Sequence, residues 1–178
     1  MNRHKRRFTE GLVDTDIILQ ELAVTSGQTI VDVGCGTGYM ALLFAKEVGP
    51  AGQVFALDIN DIYVRELEER CKGLNVRAQT CDMSGALPLD AASVDTMYIS
   101  TVIHSRTSGQ VQAFVAEAQR VLKPNGILAV VELAKHDTPF GPPLQQRYSP
   151  EELRAAIGLT PVTVIPVAEH FYMQLFRN

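Results

Sequence analysis

Thr29-Ile30-Val31-Asp32-Val33-Gly34-Cys35-Gly36-Thr37-Gly38-Tyr39 carries the transition that decides the fold. Its first five residues form a short, continuous, β-branched run, as a strand buried on both faces would. Three alternating glycines follow. Beyond them Ala41, Phe44, Ala45 and Val48 recur at helical spacing, and Gly49-Pro50 stops the segment. The order is therefore strand, glycine loop, helix. Such a loop lets backbone approach a ligand where a Cβ would clash, and it aims unpaired helix N–H groups at that ligand. The spacing is G-x-G-x-G. A dinucleotide-binding fingerprint would need glycine where Tyr39 stands, and the Lys-Ser or Lys-Thr pair of a phosphate-binding P-loop is missing.

Working outward, residues 15–22 place Ile18, Leu19 and Leu22 on one helical face behind a cap at Asp14 or Thr15, with Gly27 as the stop. Downstream, residues 53–57 read as a strand ending at Asp58, followed by a helix with Val64, Leu67 and Cys71 on one side. Residues 75–79 make a shorter strand before Cys81-Asp82-Met83. Val94–Ser100 is another strand. Val111, Phe114, Val115, Ala118, Val121 and Leu122 then mark an amphipathic helix that stops at Lys123-Pro124-Asn125-Gly126, ahead of a strand over 127–133. Alternating strands and helices argue for a parallel sheet with helices on both faces.

After His136 the chain becomes irregular through Pro139, Gly141, Pro142 and Pro143. Ser149-Pro150-Glu151-Glu152 is a capping box with proline at the first helical position, and its helix ends at Gly158. Residues 162–168 and 171–176 read as two last strands, with Pro166 placing the first at an edge.

With 178 residues, 46% hydrophobic and 20% charged, the chain suits one domain over 1–178, of which 1–13 is a basic, flexible segment. A net charge of −4 disfavours a nucleic-acid partner. No apolar run approaches the roughly 18 residues of a membrane span, and the basic start lacks a signal core, which implies a cytoplasmic protein. Arg3, His4, Lys5, Arg6 and Arg7 read as a solvated terminus without assigned function. Cys35, Cys71 and Cys81 lack zinc or disulfide spacing and read as reduced thiols.

The run from Val31 to Tyr39 resembles the first motif of class I S-adenosylmethionine-dependent methyltransferases, and Asp58 matches their acidic ribose-binding position. Cys81-Asp82-Met83 resembles the adenine-contacting segment, and Val121-Leu122-Lys123-Pro124-Asn125-Gly126 the turn into strand five. The ending from Phe171 to Phe176 is similar to that of the ubiquinone/menaquinone-type subgroup. The resemblance implies a Rossmann-like α/β fold: a seven-stranded, mostly parallel sheet whose last strand is antiparallel, with helices on both faces. It also implies S-adenosyl-L-methionine as cofactor and S-adenosyl-L-homocysteine as product. The cofactor-binding set it implies is Asp32, Gly34, Cys35, Gly36 and Gly38, with Asp58, Ile59, Asp82, Met83 and Ser100 from the later strand ends.

These roles suit the chemistry. A carboxylate at Asp58 can accept from both ribose hydroxyls, Asp82 from the adenine amino group, and the Met83 N–H can donate to the ring. Asp32 either meets the cofactor's ammonium or braces the loop. Taken singly, Asp58 and Asp82 could equally be cap or turn residues; their order after the glycine motif favours ligand contact.

Methyl transfer needs in-line approach of a nucleophile, and a base only where the acceptor must lose a proton. His104, just after Val94–Ser100, is the candidate base; otherwise it packs its loop. Arg106 could hold an anionic acceptor or be solvated. Arg147 and Tyr148 are candidate substrate contacts by analogy with the related subgroup. His136, His170 and Glu132 have simpler surface or strand-end readings. The absence of a convergent carboxylate set predicts no metal.

The acceptor expected is a small molecule of unspecified identity. The oligomeric state is open, a homodimer included. Three alternatives remain: an arsenite or thiol methyltransferase, weakened by Cys35 in the loop and Cys71 on a helix face; a non-catalytic cofactor-binding or regulatory domain with the same motif; and a nicotinamide enzyme, opposed by Tyr39.

Overall fold

A computed structural model describes residues 10–178. The basic cluster at 3–7 lies outside the described residues. The elements run α1 (Thr15–Glu21), β1 (Thr29–Val33), α2 (Tyr39–Val48), β2 (Gln53–Asp58), α3 (Asp61–Arg70), β3 (Val76–Thr80) and β4 (Val94–Ser100). They continue with α4 (Ser108–Val121), β5 (Leu122–Leu133), α5 (Pro150–Ile157), β6 (Thr160–Ala168) and β7 (Phe171–Arg177). The strands form one seven-stranded sheet in the order β3-β2-β1-β4-β5-β7-β6. β7 runs antiparallel to both of its neighbours, and β1 to β5 pair in parallel.

Two apolar layers cover the sheet. On one face Ile18, Phe44, Val48 and Leu67 bring α1, α2 and α3 onto Ile30, Val54 and Tyr98. On the other, Phe114, Ala118, Leu153 and Ile157 bring α4 and α5 onto Val31, Met97, Leu128 and Phe176. These residues are almost fully buried, and each large apolar side chain so placed contributes roughly 1.5–3 kcal/mol. Between β3 and β4 the described chain forms no helix. The connection is instead strapped to α4: Glu117 accepts from the Leu87 N–H at 2.7 Å, and Arg120 donates to the Leu87 and Leu89 carbonyls.

The expected elements are present, with local corrections. Asp14 caps α1, but the helix ends at Glu21 rather than near Gly27 because Ala23 turns into the left-handed region. Cys71 is the C-cap of α3, not part of its stripe, though still buried. β3 starts at Val76 rather than residue 75, since the Asn75 side chain turns away to donate to the carbonyls of Ala45, Gly49 and Gly52. The predicted stop at 123–126 lies inside β5: Leu122 is already extended and pairs with Val94, and the irregularity is absorbed before Ile127. The capping box at Ser149 forms as read. β6 is an edge strand, where Pro166 withholds no ladder donor from a second neighbour.

Among the described residues no helix is long and apolar enough to cross a membrane.

Candidate active site

Adjacent β1 and β4 belong to opposite halves of the strand order, so their carboxyl ends open the crevice where doubly wound sheets bind ligands. The glycine loop lies there. The N–H groups of Gly34 and Cys35 both donate to the Leu57 carbonyl, at 2.7 and 3.0 Å, which ties the loop to β2. The three glycines have different reasons to lack a side chain. A Cβ on Gly34 would lie 2.5 Å from Val102 Cγ2, and one on Gly38 would lie 2.3 Å from Leu67 Cδ1; both positions are closed by the protein's own packing. Gly36 has φ +54° and nothing within 4 Å of its would-be Cβ, so this one faces open space.

Asp58 ends β2. One oxygen accepts from the Gly36 N–H at 2.8 Å and the other from the Asn60 N–H at 2.8 Å. A carboxylate has about four lone-pair directions, so capacity remains for two hydroxyl donors. Asp58 thus braces the loop and keeps acceptor capacity for a ligand. A cavity next to it is lined by Gly34, Asp58, Ile59, Asp82, Met83 and Arg106. Ile59 is 61% exposed, an apolar surface available to a flat ring. Asp82 accepts from the Ser84 N–H at 2.9 Å. That backbone hydrogen bond from Ser84 holds its carboxyl below the usual range, with a smaller contribution from Arg106.

Below the loop Asp32 is in register with Tyr98 of β4. Asp32 is 3% exposed, and its Oδ2, the Tyr98 hydroxyl and the Ser100 hydroxyl are all buried without a hydrogen-bond partner. Burial pushes the Asp32 carboxyl up to about 7; an Ala41 backbone hydrogen bond pulls it back, and the Asp58 charge raises it further. A buried acceptor of this kind suits a cationic ligand group. The open space at Gly36, the orphaned Asp32 oxygen and the exposed Ile59 are together a fit for an adenosyl amino acid. Cys35, in the loop, is buried with its thiol pushed up by desolvation, and its Sγ lies 3.7 Å from the Gly36 carbonyl.

At the end of β4 the chain makes a sharp turn. Thr101 has φ +57°, a left-handed conformation that costs a β-branched residue about 1–2 kcal/mol. Its N–H is held by the Val131 carbonyl at 2.8 Å, and its hydroxyl donates to the Ser100 carbonyl at 2.7 Å. The turn delivers a single 3-10 turn, Ile103–Ser105, that carries His104. There Nδ1 of His104 lies 2.7 Å from Glu132 Oε2, and the His104 N–H donates to Oε1 at 3.3 Å. The Glu132 side chain is 1% exposed and that of His104 12%. A carboxylate accepting the Nδ1–H leaves the lone pair on Nε2, which has no partner among the described residues. This is the arrangement of an oriented base.

The structure separates other expected residues. Arg106 lines the cavity together with Asp58 and Asp82. Arg147 is 6% exposed and donates to the carbonyls of Pro142, Ala134, His136 and Phe140 at 2.8–3.2 Å, so it folds the segment after β5. The half-buried Tyr148 packs against the α4–α5 layer, and its carbonyl accepts from the Tyr172 hydroxyl at 2.9 Å. Glu132, read in sequence as a strand-end residue, is instead buried against His104, and Thr101 is a position the sequence reading did not single out. Glu132 carried one readable signal, a carboxylate inside an otherwise apolar strand; Thr101 carried none. Cys35 and Cys71 pack in one face's layer and Cys81 against the other, each thiol pushed up by burial. Among the described residues no group of three or more His, Cys, Asp and Glu side chains is placed to hold a metal ion.

Residues 30–126 match the model of the methyltransferase domain family. The ubiquinone/menaquinone biosynthesis C-methyltransferase UbiE of Bordetella parapertussis is 34% identical over 122 residues, 67% of this chain and 46% of that protein. The chain spans about half the length of the curated relatives it matches. A solved SAM-dependent methyltransferase of Aquifex aeolicus superposes with a TM-score of 0.86 at 26% identity, covering 96% of this chain and 93% of its own. A Sulfolobus solfataricus structure described as a type 11 methyltransferase shares the fold, with a TM-score of 0.78 at 22% identity and 94% of each chain covered.

Proposed function

Since the chain belongs to the class I S-adenosylmethionine-dependent methyltransferase family, we propose that it transfers a methyl group from that cofactor to a small-molecule acceptor that must lose a proton. The observation that carries this reading is the His104–Glu132 pair, with Nδ1 and Oε2 2.7 Å apart and Nε2 left free. When bound, the cofactor supplies an electrophilic methyl on a sulfonium. The chain's own residues hold and orient it: Asp58 accepts from the ribose, Asp82 from the adenine amino group, Asp32 faces the ammonium, and Gly36 leaves room for the backbone to approach.

His104 Nε2 takes the proton from the acceptor as its nucleophile moves on the methyl, and Glu132 stabilises the resulting imidazolium. Both a hydroxyl and a carbon acid meet that requirement. The curated relatives named for C-methylation agree with the second.

The test is a panel of phenols, alcohols and carbon acids incubated with radiolabelled S-adenosylmethionine. Label should move to at least one acceptor class, and His104→Gln should slow that transfer by roughly 10²–10⁴-fold. Tight S-adenosylhomocysteine binding with no transfer to any acceptor would leave a binding domain instead. Transfer unaffected by His104→Gln would remove the base.

A further inference from the structure

We propose that Arg106 is an adenine-recognition residue, paired across the cofactor cavity with Asp82. The inference rests on the cofactor reading above and adds to it a cation that reads the base. Arg106 shares its cavity with Asp58, Ile59, Asp82 and Met83, the side that would receive adenosine, whereas the orphaned Asp32 is not among the residues that line it. Its Nε is buried and has no hydrogen-bond partner, an N–H waiting for an acceptor.

Adenine meets this need. Its exocyclic amino group only donates, which suits the Asp82 carboxylate, and its ring nitrogens only accept, which suits a guanidinium. The π face of the base also attracts a planar cation. Asp82 and Arg106 thus form an acceptor and a donor facing one ligand edge. Apart from the nearby Asp82 charge, local structure gives Arg106 little to hold it. It precedes Thr107, the N-cap of the 14-residue helix α4, where the helix dipole disfavours positive charge. Its side chain makes no ion pair within hydrogen-bond distance among the described residues.

The test compares S-adenosylhomocysteine with methylthioadenosine, which keeps the adenosine but lacks the amino-acid end. Calorimetric affinities are measured for the wild-type protein, Arg106→Ala, Arg106→Lys and the size-conserving Arg106→Gln, with thermal midpoints as the folding control. Arg106→Ala and Arg106→Gln should weaken both ligands by the same factor, about 10- to 100-fold. Arg106→Lys should recover only part, because it lacks the planar fork.

Equal affinity in wild type and both neutral variants would overturn the assignment and leave the cofactor reading standing. Weakening of S-adenosylhomocysteine alone would move Arg106 to the amino-acid end and also overturn it. Failure of the wild-type protein to bind either ligand would overturn both readings.

Discussion

Glu132 on β5 reaches His104 beyond the end of β4 with both carboxylate oxygens, one 2.7 Å from the ring Nδ1 and the other 3.3 Å from the backbone nitrogen. The double contact fixes both the ring's orientation and its tautomer. Glu132→Gln keeps the size but offers an amide that can donate to Nδ1 and reverse the tautomer. Its turnover should fall, by less than the roughly 10²–10⁴-fold expected for His104→Gln, with cofactor affinity unchanged in both. Single-turnover rates beside calorimetric affinities check this; a Glu132→Gln protein as fast as wild type would show that the carboxylate orients nothing.

Asp32 makes the cofactor-free protein pH-sensitive. Its folded carboxyl is raised from 3.8 to about 7, so burial favours the protonated form. The stability it contributes is full below pH 4 and is lost as pH rises through 7, on the order of 4 kcal/mol in all. Asp32→Asn should flatten that slope in denaturant titrations between pH 4 and 8. A ligand ammonium reverses the preference, so S-adenosylhomocysteine should bind roughly tenfold more tightly at pH 8 than at pH 6, releasing a proton at the lower pH. Proton uptake instead of release would contradict the placement of the ammonium.

Arg147 should behave as a folding residue. Removing a buried guanidinium that serves four carbonyls leaves those acceptors unpaired, at a cost of about 3 kcal/mol for Arg147→Ala. Arg147→Lys should rescue little, since a point charge cannot reproduce the fork. Chemical denaturation measures both; a stability within 0.5 kcal/mol of wild type, about the usual scatter for a surface substitution, would point to a role outside the fold.

The loop glycines should divide by phenotype. A Cβ at Gly36 meets no protein atom within 4 Å, so Gly36→Val should stay folded, destabilised by about 1–2 kcal/mol of backbone strain, while losing cofactor affinity. Gly38→Ala collides with Leu67 and should lose stability first, with partial recovery in the Gly38→Ala/Leu67→Ala double variant. Thermal melts with and without S-adenosylhomocysteine separate the two.

What the sequence reveals here is local. β1, the glycine loop and Asp58 are legible because a buried strand, a turn and a carboxylate at the next strand end each follow from a few adjacent residues. The His104–Glu132 pair joins positions 28 apart in sequence, and only the parallel register of β4 with β5 brings them together. Arg147 and Arg106 look alike as exposed cations in one dimension; only folding shows that Arg147 is buried and donates to four carbonyls. The start of β5 was hidden because Pro124 and Gly126 carry the chemistry of a turn, whereas pairing with β4 tolerates them as an irregularity. Thr101 shows the limit, since its left-handed backbone is imposed by tertiary contacts that no residue type announces.

The position of β7 governs when the sheet can close. It follows β6 in the chain yet lies between β5 and β6, pairing with both. During synthesis β5 emerges with one open edge and β6 with no strand partner at all, and both wait for residues 171–177. A chain halted before that point exposes two sticky borders and the apolar surface that Phe171, Met173 and Phe176 would cover. Folding of this half therefore ends with a β6–β7 pair that docks on β5 through its second-made strand, and β6 joins the sheet only by way of β7.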